Sequence, residues 1–467
     1  MDTVQDARSV VEGLQPAPVA FAPSPSEQWV LPNGLRVMYR YDPEIPVGRG
    51  GLYLRSGTLW MSDDEEGALS ALGAQMRLGG AGELSADALD RRLEQLAASV
   101  SSSFGEEFGL LTFGSLDTDL EEVFGIFSDV LLRPRFEGDR LELWKRQALE
   151  GIRRRIDDPY TVANTAFGQL LYGDTPFGRV SDSEDVAKID RELLLELHRK
   201  NVFPQGAILQ ISGKVSRATI EALVKDRLES WTAKTPVQQD LPTLQDDPKP
   251  QIVFISGDFS QSTIIMGQRG IKRLSPDHYA VEAFNNIFGT GGFGARLTQR
   301  VRTDRGLAYV VQGGVFAGPV RGRNVVLVQT KSESVGDALV ESLAVLTELQ
   351  TVPVPAAELD ETLRAIQNSY VFRFDSPDDI VRREALLELL EYPDDYDTHY
   401  LERVGAITAA DLEGVANRLW DPAKFTIVVV GNEAAFQDLR DSQSSLPEPL
   451  RSLPIKRMTF REKLDIK

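Results

Sequence analysis

Residues 186–213 read VAKIDRELLLELHRKNVFPQGAILQISG, and residues 404–431 read VGAITAADLEGVANRLWDPAKFTIVVVG. Ile189 aligns with Ile407, Leu194 with Leu412, Pro204 with Pro422 and Gly213 with Gly431, each pair 218 residues apart. The same offset joins Arg155, Asp157 and Pro159 to Arg373, Asp375 and Pro377. Each copy sets leucines at helical spacing before a proline and then an apolar strand. A recurrence at one fixed offset predicts two homologous halves, α+β in class, each an antiparallel sheet packed with helices.

Outward from the repeat, the other elements follow from turn and cap chemistry. Asn33-Gly34 between two apolar runs predicts a hairpin, and Gly50–Gly57 reads as a further strand. Leu69, Leu72 and Met76 predict a buried helix over Gly67–Gly80, stopped by a glycine pair. Ser85 predicts the cap of the next helix, which carries Leu89, Leu93 and Leu96. Val100–Phe104 and Gly109–Phe113 read as strands. A helix with Leu120, Val123, Phe124, Phe127 and Leu131 stops at Pro134, and a long helix from Gly138 stops at Asp158-Pro159. Residues 231–250 hold four prolines among polar residues and read as a linker. The expected division is an arm at 1–27, a first half at 28–232, a linker at 233–250 and a second half at 251–467.

Composition narrows the function. The chain has 467 residues, 42% hydrophobic and 26% charged, with a net charge of −19. That charge opposes nucleic-acid binding and weakly favours cationic partners or basic peptides. No apolar run approaches the length of a membrane span. There is no cysteine, which excludes disulfides, thiolate metal sites and a cysteine nucleophile. The three histidines, His198, His278 and His399, show no metal-binding spacing, and no Ser–His–acid arrangement is suggested.

The stretch with most chemistry is Phe288–Val310, FGTGGFGARLTQRVRTDRGLAYV. Gly289, Gly291, Gly292 and Gly294 read as a strand-to-helix turn that could also touch substrate. A helix follows with Leu297, Val301 and the arginines Arg296, Arg300 and Arg302. Gly306 then leads into a strand that begins with Tyr309. Arg302 and Tyr309 both donate hydrogen bonds, so together they could bind a peptide carbonyl.

The repeat, the glycine-rich turn and the run Arg302-Thr303-Asp304-Arg305-Gly306-Leu307-Ala308-Tyr309 resemble the pitrilysin/insulinase metallopeptidase family, the inverzincins. The resemblance spans about Trp29 to Glu433. It implies a two-halved unit that pairs with another to enclose a peptide chamber. It also implies that Arg302 and Tyr309 bind the scissile carbonyl and the oxyanion. Active members carry His-x-x-Glu-His, two zinc ligands flanking a general base, on the first long helix, and a distant Glu as third ligand. Here those positions fall on Ser70, Gly73, Ala74 and Gly151, and no histidine precedes His198. The zinc half-site is therefore expected to be absent from this chain.

The resemblance thus implies the non-metal-binding subunit of a heterodimeric zinc peptidase. Zinc would reside in a homologous partner carrying His-x-x-Glu-His, with no cofactor in this chain. Peptide could add to a strand edge at Val100, Ser101, Ser102 and Ser103, and contact the glycine loop. The alternative is a catalytically dead scaffold subunit in which the Arg–Tyr pair is a relic. The compartment is expected to be the periplasm or cell envelope if the chain is a trimmed mature form, and the cytoplasm otherwise.

Overall fold

A computed structural model describes residues 24–233 and 240–464. Most of the expected arm and residues 234–239 of the expected linker lie outside the described residues. Two six-stranded mixed sheets form, each packed with helices, one per repeat. The first contains β1 (Glu27–Val30), β2 (Arg36–Tyr41), β3 (Val47–Leu54), β4 (Ser99–Phe104), β5 (Gly109–Leu116) and β6 (Ile208–Gly213). Its order is β1-β2-β6-β3-β5-β4. The second contains β7 (Gln251–Ser256), β8 (Ser262–Arg269), β9 (Ala308–Phe316), β10 (Arg323–Thr330), β11 (Thr426–Gly431) and β12 (Ile455–Met458). Its order is β12-β7-β11-β8-β10-β9.

The repeat survives in detail. β6 runs parallel to β2 and antiparallel to β3, as β11 does to β7 and β8. The helices before them, Arg191–Asn201 and Ala409–Leu419, are capped by Asp190 and Thr408, whose side chains accept from Leu193 N and Asp411 N. Ser85 likewise caps its helix by accepting from Ala88 N. The Asn33-Gly34 hairpin joins β1 to β2, with Gly34 at φ +91. The outermost strands differ: β1 pairs antiparallel from the N-terminal side, whereas β12 pairs parallel from the C-terminal side.

Pro159 and Pro377 do more than stop the preceding helices. Each occupies the first turn of a new helix, Pro159–Tyr172 or Pro377–Leu389, capped by Asp158 or Ser376. These two helices are exchanged between the halves. Val162, Ala166, Phe167 and Leu171 pack on Val253, Ile265, Val428 and Val430 of the second sheet. Val381, Ala385 and Leu389 pack on Met38, Tyr53 and Ile208 of the first. Polar bonds fix the exchange: Arg269 Nε donates to Leu171 O at 2.6 Å, and Ser212 Oγ donates to Asp378 Oδ1 at 2.8 Å. Helices therefore cover both faces of the central strands, which is why TIVVVG of β11 is apolar after Thr426 and wholly buried. At about 1.5–3 kcal/mol for each fully buried large aliphatic side chain, the exchange joins the halves firmly. No helix among the described residues is long and apolar enough to cross a membrane.

Candidate functional site

The glycine-rich turn follows a helix, not a strand. The helix His278–Asn285 runs on into a π-helical turn, Asn286–Thr290, and a short 3-10 turn, Gly292–Gly294, leads to the next helical segment, Thr298–Asp304. The correction to the expected strand-to-helix turn has a local cause: Phe284, Ile287 and Phe288 continue one buried helical face up to the glycines. A Cβ at Gly291 would strike the Asn286 carbonyl oxygen, so only glycine lets the chain double back there. Gly306, at φ +63, ends the second helical segment and turns the chain into β9. Its N–H donates to Arg302 O at 3.1 Å, and the Leu307 N–H donates to Val301 O at 2.9 Å. This close turn brings the two ends of the seven-residue interval together.

The arginines of this segment divide sharply. Arg296 bonds Glu358 at 2.7 Å and Glu348 at 3.3 Å. Arg300 bonds Glu348 at 2.7 Å and Glu341 at 3.5 Å, and Arg305 bonds Glu341 at 2.6 Å. Arg302 has no ion pair and no side-chain hydrogen bond among the described residues. Its guanidinium carbon instead lies 5.4 Å from the centre of the Tyr309 ring and 5.3 Å from that of Phe293. Tyr309 is 73% exposed and Phe293 71% exposed, and the Tyr309 hydroxyl is also unbonded among the described residues. A cation–π contact spends none of the guanidinium donors on an acceptor atom, so its N–H groups stay open. The arrangement can therefore donate several hydrogen bonds to one incoming oxygen.

The four glycines do not share one environment. Gly289 is buried, and a Cβ there would lie 2.5 Å from Gly313 N of β9, so it is a packing position. Gly291, Gly292 and Gly294 are exposed, and Cβ atoms at Gly292 and Gly294 would meet nothing within 4 Å. The open edge of β9 is partly occupied from within: Asn285 donates to Val315 O at 2.9 Å and accepts from Val315 N at 2.8 Å.

The corresponding helix of the first half, Ala68–Leu78, packs directly on β4. A Cβ at Gly73 would lie 2.8 Å from Ser103 Cα and 2.9 Å from Phe104 N. Ser102 Oγ donates to Gly73 O at 2.5 Å. Ser70 and Gly151 are exposed and Ala74 is half-buried. None of the four positions offers a strong metal-ligating side chain, and the helix leaves no room for a base at Gly73. Zinc does not fit this half. Among the described residues no group of three or more His, Asp or Glu side chains could hold a metal ion. The histidines are dispersed: His198 Nε2 meets Leu131 O at 2.8 Å, His278 Nε2 meets Tyr396 Oη at 2.8 Å, and His399 lies by Glu402.

β4 is the terminal strand of its sheet. Gly105 N–H bonds Phe108 O across the β4–β5 turn, so the ladder's alternation leaves the backbone groups of Val100, Ser102 and Phe104 on the open edge. Arg77 Nε donates to Val100 O there at 3.1 Å and Arg77 Nη1 to Asp90 at 2.8 Å. Ser101 instead bonds Thr112 on the exposed sheet face. A strand added at Val100–Ser103 would have to displace Arg77.

A cavity of about 920 Å³ opens where the halves meet, lined by Arg55, Trp60, Phe203, Arg273 and Leu389 among others. Neither Arg302 nor Tyr309 lines it; their site is open surface. Sequence reasoning did not single out Phe293, Arg77 or Asn285. Only Phe293 carried a local signal, as the one aromatic residue inside a run of glycines.

Two linked α+β halves, with Ser70, Gly73, Ala74 and Gly151 at the expected zinc positions of one and an arginine–tyrosine pair at the surface of the other, define a peptidase-like chain. The family description Insulinase (Peptidase family M16) matches residues 36–171, and Peptidase M16 inactive domain matches residues 188–366. The chain belongs to the M16 family. An uncharacterized zinc protease of Mycobacterium tuberculosis is 24% identical over 446 residues, covering 94% of this chain and 98% of the relative. The uncharacterized zinc protease YmxG of Bacillus subtilis is 19% identical, covering 84% and 95%. The crystal structure of a peptidase M16 inactive domain from Pseudomonas fluorescens has a TM-score of 0.78 at 24% identity, covering 87% of this chain and 98% of that one. The periplasmic protease PqqL from Escherichia coli has a TM-score of 0.73 at 16% identity, covering 90% of this chain and 47% of PqqL.

Proposed function

We propose that this chain is the non-metal-binding subunit of a two-chain zinc peptidase. The partner is a homologous chain with His-x-x-Glu-His, and it holds the zinc. This chain closes the peptide chamber and presents Arg302 and Tyr309 to the carbonyl under attack. As negative charge develops on that oxygen, the guanidinium and phenol N–H and O–H groups bind it. One such donor is worth about 3–4 kcal/mol in other enzymes.

One observation carries the reading. Arg296, Arg300 and Arg305 are neutralised by glutamates, whereas Arg302 keeps its charge and donors at the surface beside an exposed tyrosine. An unpaired, stacked arginine of this kind is suited to an incoming anion or carbonyl. The empty positions Ser70, Gly73, Ala74 and Gly151 support the assignment of zinc to another chain. The Peptidase M16 inactive domain match supports it further. The similarity in fold to a periplasmic protease supports a location in the cell envelope.

The test is reconstitution with a natively co-purified partner. The purified chain alone should be inert on peptides and bind no stoichiometric zinc, and the pair should cleave peptides in a zinc-dependent way. Arg302→Ala or Tyr309→Phe in the pair should lower turnover by ~10²-fold or more. Full activity in both variants would leave a scaffold role instead.

A further inference from the structure

Resting on that reading, we infer that Phe293 is a positioning residue for Arg302, holding the guanidinium together with Tyr309. The geometry is specific. Phe293 stands on the 3-10 turn Gly292–Gly294, and its ring centre lies 5.3 Å from Arg302 Cζ. Tyr309 reaches the same carbon from β9 at 5.4 Å. The turn that carries Phe293 is tied to the arginine's own helical segment, because Gln299 Nε2 donates to Phe293 O. Gly292 is at φ +68, a conformation other residues rarely adopt, so the turn is built to place this one side chain.

Phe293 has no fold-level reason to be there. It is 71% exposed, while Phe284 and Phe288 on the preceding helical turns are wholly buried. Nothing but Arg302 among the described residues stacks on its ring.

The chemistry explains why a phenyl ring serves here and a carboxylate does not. A long arginine side chain at the surface loses much rotamer freedom when it must point one way. A glutamate could hold it, as glutamates hold Arg296, Arg300 and Arg305, but would consume donors and cancel the charge. An aromatic face holds the cation and leaves every N–H in the guanidinium plane open. If Tyr309 swings its hydroxyl toward the substrate oxygen, Phe293 still retains the guanidinium. Phe293 itself touches no reacting atom; it acts through Arg302.

The test uses the assembled pair. Phe293→Ala and Phe293→Leu should each lower kcat about fivefold, the scale of one exposed cation–π contact, with KM little changed. Phe293→Tyr and Phe293→Trp should restore it. Thermal midpoints should not move, because the ring is exposed. In the free chain, selectively labelled Arg302 should show side-chain proton resonances shifted upfield by the two rings, and Phe293→Ala should move them back toward the free-arginine position. Wild-type kcat in Phe293→Ala alongside an impaired Arg302→Ala overturns this inference and leaves the Arg–Tyr reading standing. Wild-type activity in Arg302→Ala removes both. Loss in Phe293→Tyr equal to that in Phe293→Ala also overturns the inference, since an aromatic face would then not be what matters.

Discussion

The two halves repeat one design and differ, besides their outermost strands, where a helix meets the terminal strand β4 or β9. In the first half, Ala68–Leu78 lies hard against β4, with Gly73 on its backbone and Arg77 bonded to Val100 O. In the second, Asn285 and Gly289 close down on β9 in a similar way, yet the chain beyond them opens into a glycine turn. That turn carries Phe293, and the segment after it carries Arg302. The absence of a side chain at Gly73 lets the first helix lie close to its strand, and the projecting turn of the second half displays an arginine without an ion pair among the described residues. At this place one half is closed and the other is open.

The contrast can be broken in several ways. The largest effect should come from the open half: Arg302→Ala in the assembled pair should cost ~10²- to 10³-fold in turnover, whereas Ser70→Ala in the first half should leave steady-state rates unchanged. Equal losses in the two variants would erase the distinction. Next, the complete ligand set can be installed as Ser70→His, Gly73→Glu, Ala74→His and Gly151→Glu. We expect no stoichiometric zinc by metal analysis, and a loss of about 1–3 kcal/mol in urea unfolding, because a Cβ at Gly73 collides with β4 backbone. One tightly bound zinc per chain would show that the helix is not locked on the strand.

A smaller effect should follow Arg77→Ala. It uncovers the Val100 carbonyl and leaves Asp90 with one cation fewer, for about 1–2 kcal/mol of stability. Amide exchange should quicken at Val100, Ser102 and Phe104, whose groups face the open edge. No change there would mean that Arg77 does not seal it. The smallest effect should be that of Arg300→Gln: under about 1 kcal/mol of stability, since its partners are partly exposed, and no change in turnover. An Arg300 variant as impaired as Arg302→Ala would make the charge of the whole segment, not one arginine, the active feature.

Much of this was legible in residue order. The 218-residue offset exposed the two halves because Pro, Gly and cap residues are required by local backbone geometry, which each copy had to keep. The residues at the expected zinc positions, Ser70, Gly73, Ala74 and Gly151, were equally plain to read, since metal ligation depends on side-chain identity. The helices begun by Pro159 and Pro377 were harder to read. A proline that ends one helix can also start the next, and nothing local separates the two roles. The same limit applied to the glycine turn, where the helical face continuing through Ile287 and Phe288 was hidden by the glycines that follow.

Residue identity alone pointed to two α+β halves, placed Ser70, Gly73, Ala74 and Gly151 where zinc ligands were expected, and set an arginine seven residues before a tyrosine. Those facts are local: they depend on which side chain stands where. Folding in three dimensions decided that Pro159–Tyr172 and Pro377–Leu389 cross to opposite sheets, that Arg77 caps an edge carbonyl, and that Arg302 has no ion pair among the described residues. Those depend on neighbours far away in the chain. The packing of the helices brings Glu341, Glu348 and Glu358 to Arg296, Arg300 and Arg305 and leaves Arg302 beside the rings of Phe293 and Tyr309.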